Sequence, residues 1–104
     1  MFGDIFGNMQ KQQEELAARL AEITSDAEAG GGAVKVTATG DGRIKNISLD
    51  ASLLNLADLE QTEDLLLAAV NEALDKARET SAVETEKLIK QMMPFGGMDQ
   101  FLGK

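Results

Sequence analysis

Residues 30–54, GGGAVKVTATGDGRIKNISLDASLL, decide the fold. They are the segment that reads as sheet. Val34, Val36 and Ala38 alternate with Lys35, Thr37 and Thr39, so an extended chain presents one apolar and one polar face. Gly40-Asp41-Gly42 suits a tight hairpin connection, because glycine tolerates the positive φ such turns require. The return strand runs from Arg43 to Leu49, but its parity slips, since Ile44 is out of phase with Ile47 and Leu49. One extra residue near Lys45-Asn46 restores the phase, which predicts a β-bulge there. Asp50 is placed to cap a helical turn over Ala51–Leu54. The run Gly30-Gly31-Gly32 is expected to end the preceding helix and to free the backbone for a turn or an edge strand. It lacks the strand before and the Gly-Lys-Ser/Thr after that a phosphate-cradling loop needs, so nucleotide binding is not expected.

Working outward, residues 4–28 read as a helix. Phe2, Phe6, Met9, Gln13, Leu16, Leu20, Ile23 and Ala27 are spaced alternately by four and three, a heptad seam that pairs helices side by side. Gln13 is the only polar member of that seam. On the other side, Asp58 with Gln61 predicts a capping box, and acids at 60, 63 and 64 suit the first turns of a helix. Leu66, Ala69, Val70, Ala73, Leu74 and Ala77 form its apolar face, and the small residues let it lie close to a sheet. The stripe thins after Arg78 and returns weakly at Leu88, Ile89, Met92 and Met93 before Pro94 and Gly96-Gly97 stop it. Residues 58–93 as one helix span about 54 Å, against about 20 Å for a six-residue strand. The helix therefore overshoots its sheet, and the overshoot needs the first helix or a second subunit for support. The chain reads as one domain over residues 1–93, with residues 94–104 expected to form a flexible tail.

The 104 residues contain neither cysteine nor histidine, which removes disulfides, thiolate sites and imidazole chemistry. No apolar run is long enough for a membrane helix, and the opening residues lack a secretory pattern, so the expectation is a cytoplasmic protein. Acid pairs such as Glu14-Glu15, Glu63-Asp64 and Glu84 with Glu86 belong to solvated helix faces rather than to a cleft. Neither catalysis, a metal, a cofactor nor a small-molecule substrate is expected.

The net charge of −8 is unevenly spread: −4 over residues 1–28, +1 over 29–57, −5 over 58–93 and zero thereafter. The overall field repels polyanions. The bases available to phosphate are Lys11 and Arg19 on the first helix, Lys35, Arg43 and Lys45 on the hairpin, and Lys76, Arg78, Lys87 and Lys90 on the second helix. The hairpin bases make one patch if all three point outward. Pairing with acids at helical spacing, as in Glu72–Lys76 and Glu86–Lys90, is the competing use of the helix bases. No aromatic residue sits among them, so stacking on single strands is not expected.

Five stretches taken together point to a family. They are the opening Met-Phe-Gly with its Asn-Met-Gln-Lys-Gln-Gln helix, the run from Gly30 to Gly42, the return Ile47-Ser48-Leu49-Asp50-Ala51-Ser52-Leu53-Leu54, the helix Leu66–Ala73, and Met-Pro-Phe-Gly-Gly near the C-terminal end. In this order the chain resembles the bacterial YbaB/EbfC nucleoid-associated proteins. The resemblance implies an α+β subunit of α-β-β-β-α order, with a small antiparallel sheet, two long helices and a first strand around Ser25–Gly32. It implies a homodimer whose sheets join and whose helices project like tweezers. It further implies a cytoplasmic protein of the nucleoid that binds DNA, with weak sequence preference, through the helical arms, altering DNA conformation or gene expression. The acidic arms also admit a second function, a dimeric scaffold for a basic protein partner.

Overall fold

The computed structural model describes residues 2–92, with side chains from Phe6 to Gln91. Helix α1 spans Phe2–Glu22, and three strands follow, β1 over Thr24–Ala29, β2 over Val34–Thr39 and β3 over Ile44–Leu49. A single 3-10 turn at Ala51–Leu53 leads to helix α2, Leu59–Met92. The strands form an antiparallel sheet in the order β1-β2-β3. Residues 93–104, including the expected tail, lie outside the described residues.

Strand β1 corrects the expectation of a helix through residue 28. Ile23 and Ala27 keep the heptad spacing but are not helical. The reason is at the hairpin tip, where the Gly40 N–H donates to Leu20 O and to Ile23 O, 2.9 Å in each case. Carbonyls that the next helical turn would have used are satisfied by another strand connection, and α1 stops. Thr24–Ala29 then pairs with β2, Ala27 opposite Val36 and Ala29 opposite Val34. The glycine run consequently does not end a helix. It is the β1–β2 connection, with φ of +67°, +65° and +94° at Gly30, Gly31 and Gly32, three consecutive values that only glycine adopts without strain.

The predicted bulge is present. Asn46 pairs with Thr37 and Ile44 with the adjacent Ala38, so Lys45 is the extra residue. It brings Ile44 onto the face of Ile47 and Leu49, which lie opposite Val36 and Val34. Asp50 caps the 3-10 turn as expected, accepting from the Ser52 N–H at 3.0 Å. Asp58 likewise caps α2, accepting from the Gln61 N–H at 3.1 Å. The reciprocal half of that capping box has no donor to use, since the Asp58 N–H is already given to Asn55 O at 2.9 Å.

The core lies between the sheet and the first half of α2. Ala69, Ala73 and Ala77 recur every fourth residue and rest on Ala27, Val34, Val36 and Ala38, all buried. Leu65, Leu66, Val70 and Leu74 flank the contact. The only large side chains fully buried among the described residues are Val34 and Val36, and each contributes about 1.5–3 kcal/mol by burial. Helix α2 lies over β1 and β2 and leaves β3 uncovered, with every residue of that strand exposed.

Beyond Thr80, whose hydroxyl is 3.5 Å from that of Ser25 on β1, α2 leaves the sheet and runs beside α1 in the opposite direction, forming an arm. Ala17 and Leu20 are level with Ser81 and Ala82 at its root, and Met9, Gln12, Gln13 and Leu16 surround Leu88 further out. The radius of gyration is 19.4 Å, against about 13 Å for a compact chain of this length. The overshoot inferred from helix length is thus real.

Candidate nucleic-acid interface

The bases divide by what holds them. All four on α2 sit beside acids of the same helix: Lys76 is 3.6 Å from Glu72, Arg78 2.9 Å from Asp75, Lys87 3.4 Å from Glu84 and Lys90 3.9 Å from Glu86. The two i,i+4 pairs match the sequence expectation. The two i,i+3 pairs were equally legible in the spacing and were missed. Glu84 has the most covered side chain of these eight, 19% exposed, because it lies on the seam toward α1. Lys76 has a second role that no spacing rule suggests, donating to the Asp26 backbone oxygen at 2.9 Å. It thereby occupies an open carbonyl on the outer edge of β1.

The other five bases are not so paired: no salt bridge among the described residues involves Lys11, Arg19, Lys35, Arg43 or Lys45. Lys35 lies on the sheet face away from the core, opposite Glu28 on β1 and Ser48 on β3. It lines an open groove of about 580 Å³ with Asp26, Glu28, Thr37, Asn46 and Ser48. The groove is mixed in charge rather than basic. Asp50, near Lys35, is held below the usual carboxylate range first by the Ser52 hydroxyl, then by the Ser52 N–H, and further by the Lys35 charge.

Arg43 and Lys45 are at the other end of the hairpin from Lys35. Lys45, on the bulge, is three residues from Ser48, about 10 Å along the strand. The hairpin bases are therefore spread along the length of the hairpin. The hairpin tip meets the last turn of α1 and the Arg78 region of α2 around an open groove lined by Ala17, Leu20, Gly40, Asp41, Gly42, Arg78, Ser81 and Ala82. Arg19, Arg43 and Arg78 are all carried on segments that converge at this arm root. Lys11 falls level with Ile89 and Lys90 on the antiparallel arm, so Lys11, Lys87 and Lys90 form a distal group. The nine bases thus fall into an arm-root group, a distal-arm group, and Lys35 with Lys76 at the sheet.

Residues 2–92 match the family described as the YbaB/EbfC DNA-binding family. The chain belongs to that family. Among relatives of this YbaB/EbfC chain, a nucleoid-associated protein of Thermodesulfovibrio yellowstonii is 44% identical over 98 residues, 91% of this chain and 83% of the relative. A nucleoid-associated protein of Gemmatimonas aurantiaca is 41% identical over 98 residues, 94% of this chain and 85% of that one. The crystal structure of an uncharacterized protein from Helicobacter pylori shares the fold, with a TM-score of 0.71 at 24% identity, covering 85% of this chain and 92% of the other.

Among the described residues of this YbaB/EbfC chain, no group of three or more His, Cys, Asp or Glu is placed to hold a metal ion, and no helix is long and apolar enough to cross a membrane.

Proposed function

We propose that this chain is a nucleoid-associated DNA-binding protein that acts as a homodimer in the nucleoid of the cytoplasm, contacting duplex DNA through phosphates with weak sequence preference. Family membership over residues 2–92, with relatives named as nucleoid-associated, is the observation that carries this reading. The placement of the bases supports it and orders them. The cations outside the salt bridges, Arg19 and Arg43 at the arm root with Lys45 beside them, reach phosphate at no cost in broken ion pairs. Lys11 supplies such a cation on the distal arm. Lys87, Lys90 and Arg78 reach it by exchanging exposed pairs, which are worth at most about 1 kcal/mol each. Lys76 is tied to β1 and Lys35 faces Glu28, so both are secondary.

The dimer is supported by the open side of the sheet. Among the described residues no strand lies beside the outer edge of β3, and Ile44, Ile47 and Leu49 are 37%, 46% and 50% exposed. Leu53, Leu56, Leu59 and Leu67 are likewise exposed, at 55–67%. A second copy joined there covers a surface too apolar for a solvated subunit. An effect on DNA conformation or gene expression follows from two arms projecting from such a joint. Nothing in the fold or in the relatives favours the acidic adaptor for a basic protein.

The test is duplex binding by the purified protein across a salt series. Binding should weaken steeply with salt, because each neutralised phosphate releases counterions. Arg43→Glu with Lys45→Glu should weaken it more than Lys35→Glu, and Lys87→Glu with Lys90→Glu should weaken it too. No retardation of any duplex at low salt and high micromolar protein would overturn the DNA reading. A monomer by sedimentation at the same concentration would overturn the dimer.

A further inference from the structure

Antiparallel pairing sends the backbone groups of successive residues to alternate sides of a strand. The Thr39 N–H goes to Arg43 O, toward β3, so Thr37 and Lys35 bond on that side as well. Strand β2 is left with Val34, Val36 and Ala38 to hold β1, and their partners are Ala29, Ala27 and Ser25. The N–H and C=O groups of Thr24, Asp26 and Glu28 therefore point outward from β1, the end strand of the sheet among the described residues. Such an edge is a template for another strand. An open groove of about 580 Å³, with Asp26, Ala27, Glu28, Glu72 and Lys76 in its walls, leaves room beside it.

Strand β1 carries no protection of its own. It has neither proline, lysine nor bulge, and its six residues pair one to one with β2. The protection comes from α2. Glu72, Lys76 and Thr80, one helical turn apart, form a polar row along β1 beside the buried row of Ala69, Ala73 and Ala77. Lys76 is the middle member, with its ammonium 2.9 Å from Asp26 O and 3.6 Å from Glu72. The Thr80 hydroxyl, 3.5 Å from that of Ser25, donates to the Lys76 backbone oxygen at 3.0 Å. Asp26 is also the middle one of the three outward positions, so a single lysine interrupts the edge at its centre. A strand laid there has to replace a charge-assisted hydrogen bond, stronger than the neutral one it offers, and has to cover a half-exposed ammonium.

We propose that Lys76 is an edge guard, which keeps β1 from pairing with β1 of a second copy of this chain. An antiparallel pair of β1 strands centred on Asp26 is the symmetrical arrangement open to two such edges, and Lys76 stands at its centre in both. Asp26 and Glu28 add like-charge repulsion to that pairing. Salt screens the repulsion between exposed acids, so at high ionic strength the lysine is the defence that remains. The guard acts independently of DNA binding.

Sedimentation of the full chain in high salt tests this. Lys76→Met keeps an unbranched side chain and removes the donors. At high micromolar protein its weight-average mass should exceed that of the wild type by about twofold or more. Lys76→Arg, which still presents donors to the carbonyl, should sediment as the wild type does. Adding Asp26→Pro to Lys76→Met should restore the wild-type mass, because the outward Asp26 N–H is not used within the subunit and an edge position of that kind tolerates proline. Equal masses for Lys76→Met and the wild type overturn the proposal. A larger mass that Asp26→Pro leaves in place also overturns it, since the copies then join elsewhere. The wild type gives a reading that depends on no variant: by nuclear magnetic resonance the Lys76 ammonium protons should exchange with water more slowly than those of Lys45. Equal rates remove the contact on which the guard rests.

Discussion

The two halves of α2 live in different environments. From Leu59 to Ala77 the helix rests on a sheet, and Ala69, Ala73 and Ala77 are at most 1% exposed. From Arg78 to Gln91 none of its residues is buried. The facing positions there are Ser81, Glu84, Thr85 and Leu88, with Gln12, Gln13 and Leu16 across from them. One continuous helix therefore has a half fixed by apolar packing and a half held by a mixed, half-open seam. Most of its stability comes from packing of its apolar face rather than from helix propensity, so the two halves should respond differently to damage.

The largest effect is expected where α2 lies closest to the sheet. Ala73→Leu inserts bulk between the helix and Val34 and Val36, and should cost about 3 kcal/mol in denaturant unfolding. A cost below about 1 kcal/mol would mean that the alanine stripe is not a close contact. The next concerns the joint between body and arm. A Cβ on Gly40 would stand 2.9 Å from the Leu20 backbone oxygen, so Gly40→Ala should destabilise by about 2 kcal/mol. It should also raise amide exchange through the last turn of α1. Within the arm, Leu88→Ala should cost only about 1 kcal/mol, since its site is half-open and collapses easily. If it matched Ala73→Leu, the distinction between the halves would fail.

The smallest effect belongs to pH. The folded state holds Asp50 below its ordinary value of 3.8. A carboxyl depressed on folding stabilises the native state above the unfolded value and loses that contribution as pH falls through the folded one. The cap of the 3-10 turn is therefore intact at neutral pH and lost in the range below about 4. Asp50→Asn should flatten this part of the acid unfolding profile and leave stability at pH 7 nearly as it was. An unchanged acid profile would remove Asp50 from the account.

The same contrast explains how much of the molecule could be read beforehand. The β2–β3 hairpin, its bulge, both Asp caps and the stripe on α2 are local patterns, each readable within a few residues. The strand β1 was not, because Thr24–Ala29 has no alternation of large apolar residues. Its inner positions are Ser25, Ala27 and Ala29, small because α2 crosses close above them, and Ile23 with Ala27 continues the heptad of α1 by coincidence of spacing. Only the docking of Gly40 onto Leu20 and Ile23 ends the helix, and those contacts join residues 20 and 17 positions apart. Among the candidate bases, the helix pairings followed from spacing. The separation of Lys35 from Arg43 and Lys45, and the use of Lys76 on the β1 edge, depended on the sheet itself.

That lysine has a consequence for growth of the sheet. An open β-sheet is in principle bifunctional, able to add a neighbour at either border and so to polymerise. Here the β1 border lies under α2, with the Lys76 ammonium on the Asp26 carbonyl oxygen, and among the described residues the β3 border is the uncovered one. A strand that added to β3 would meet, at the far border, a carbonyl already taken by a lysine, so growth of the sheet from β1 is disfavoured.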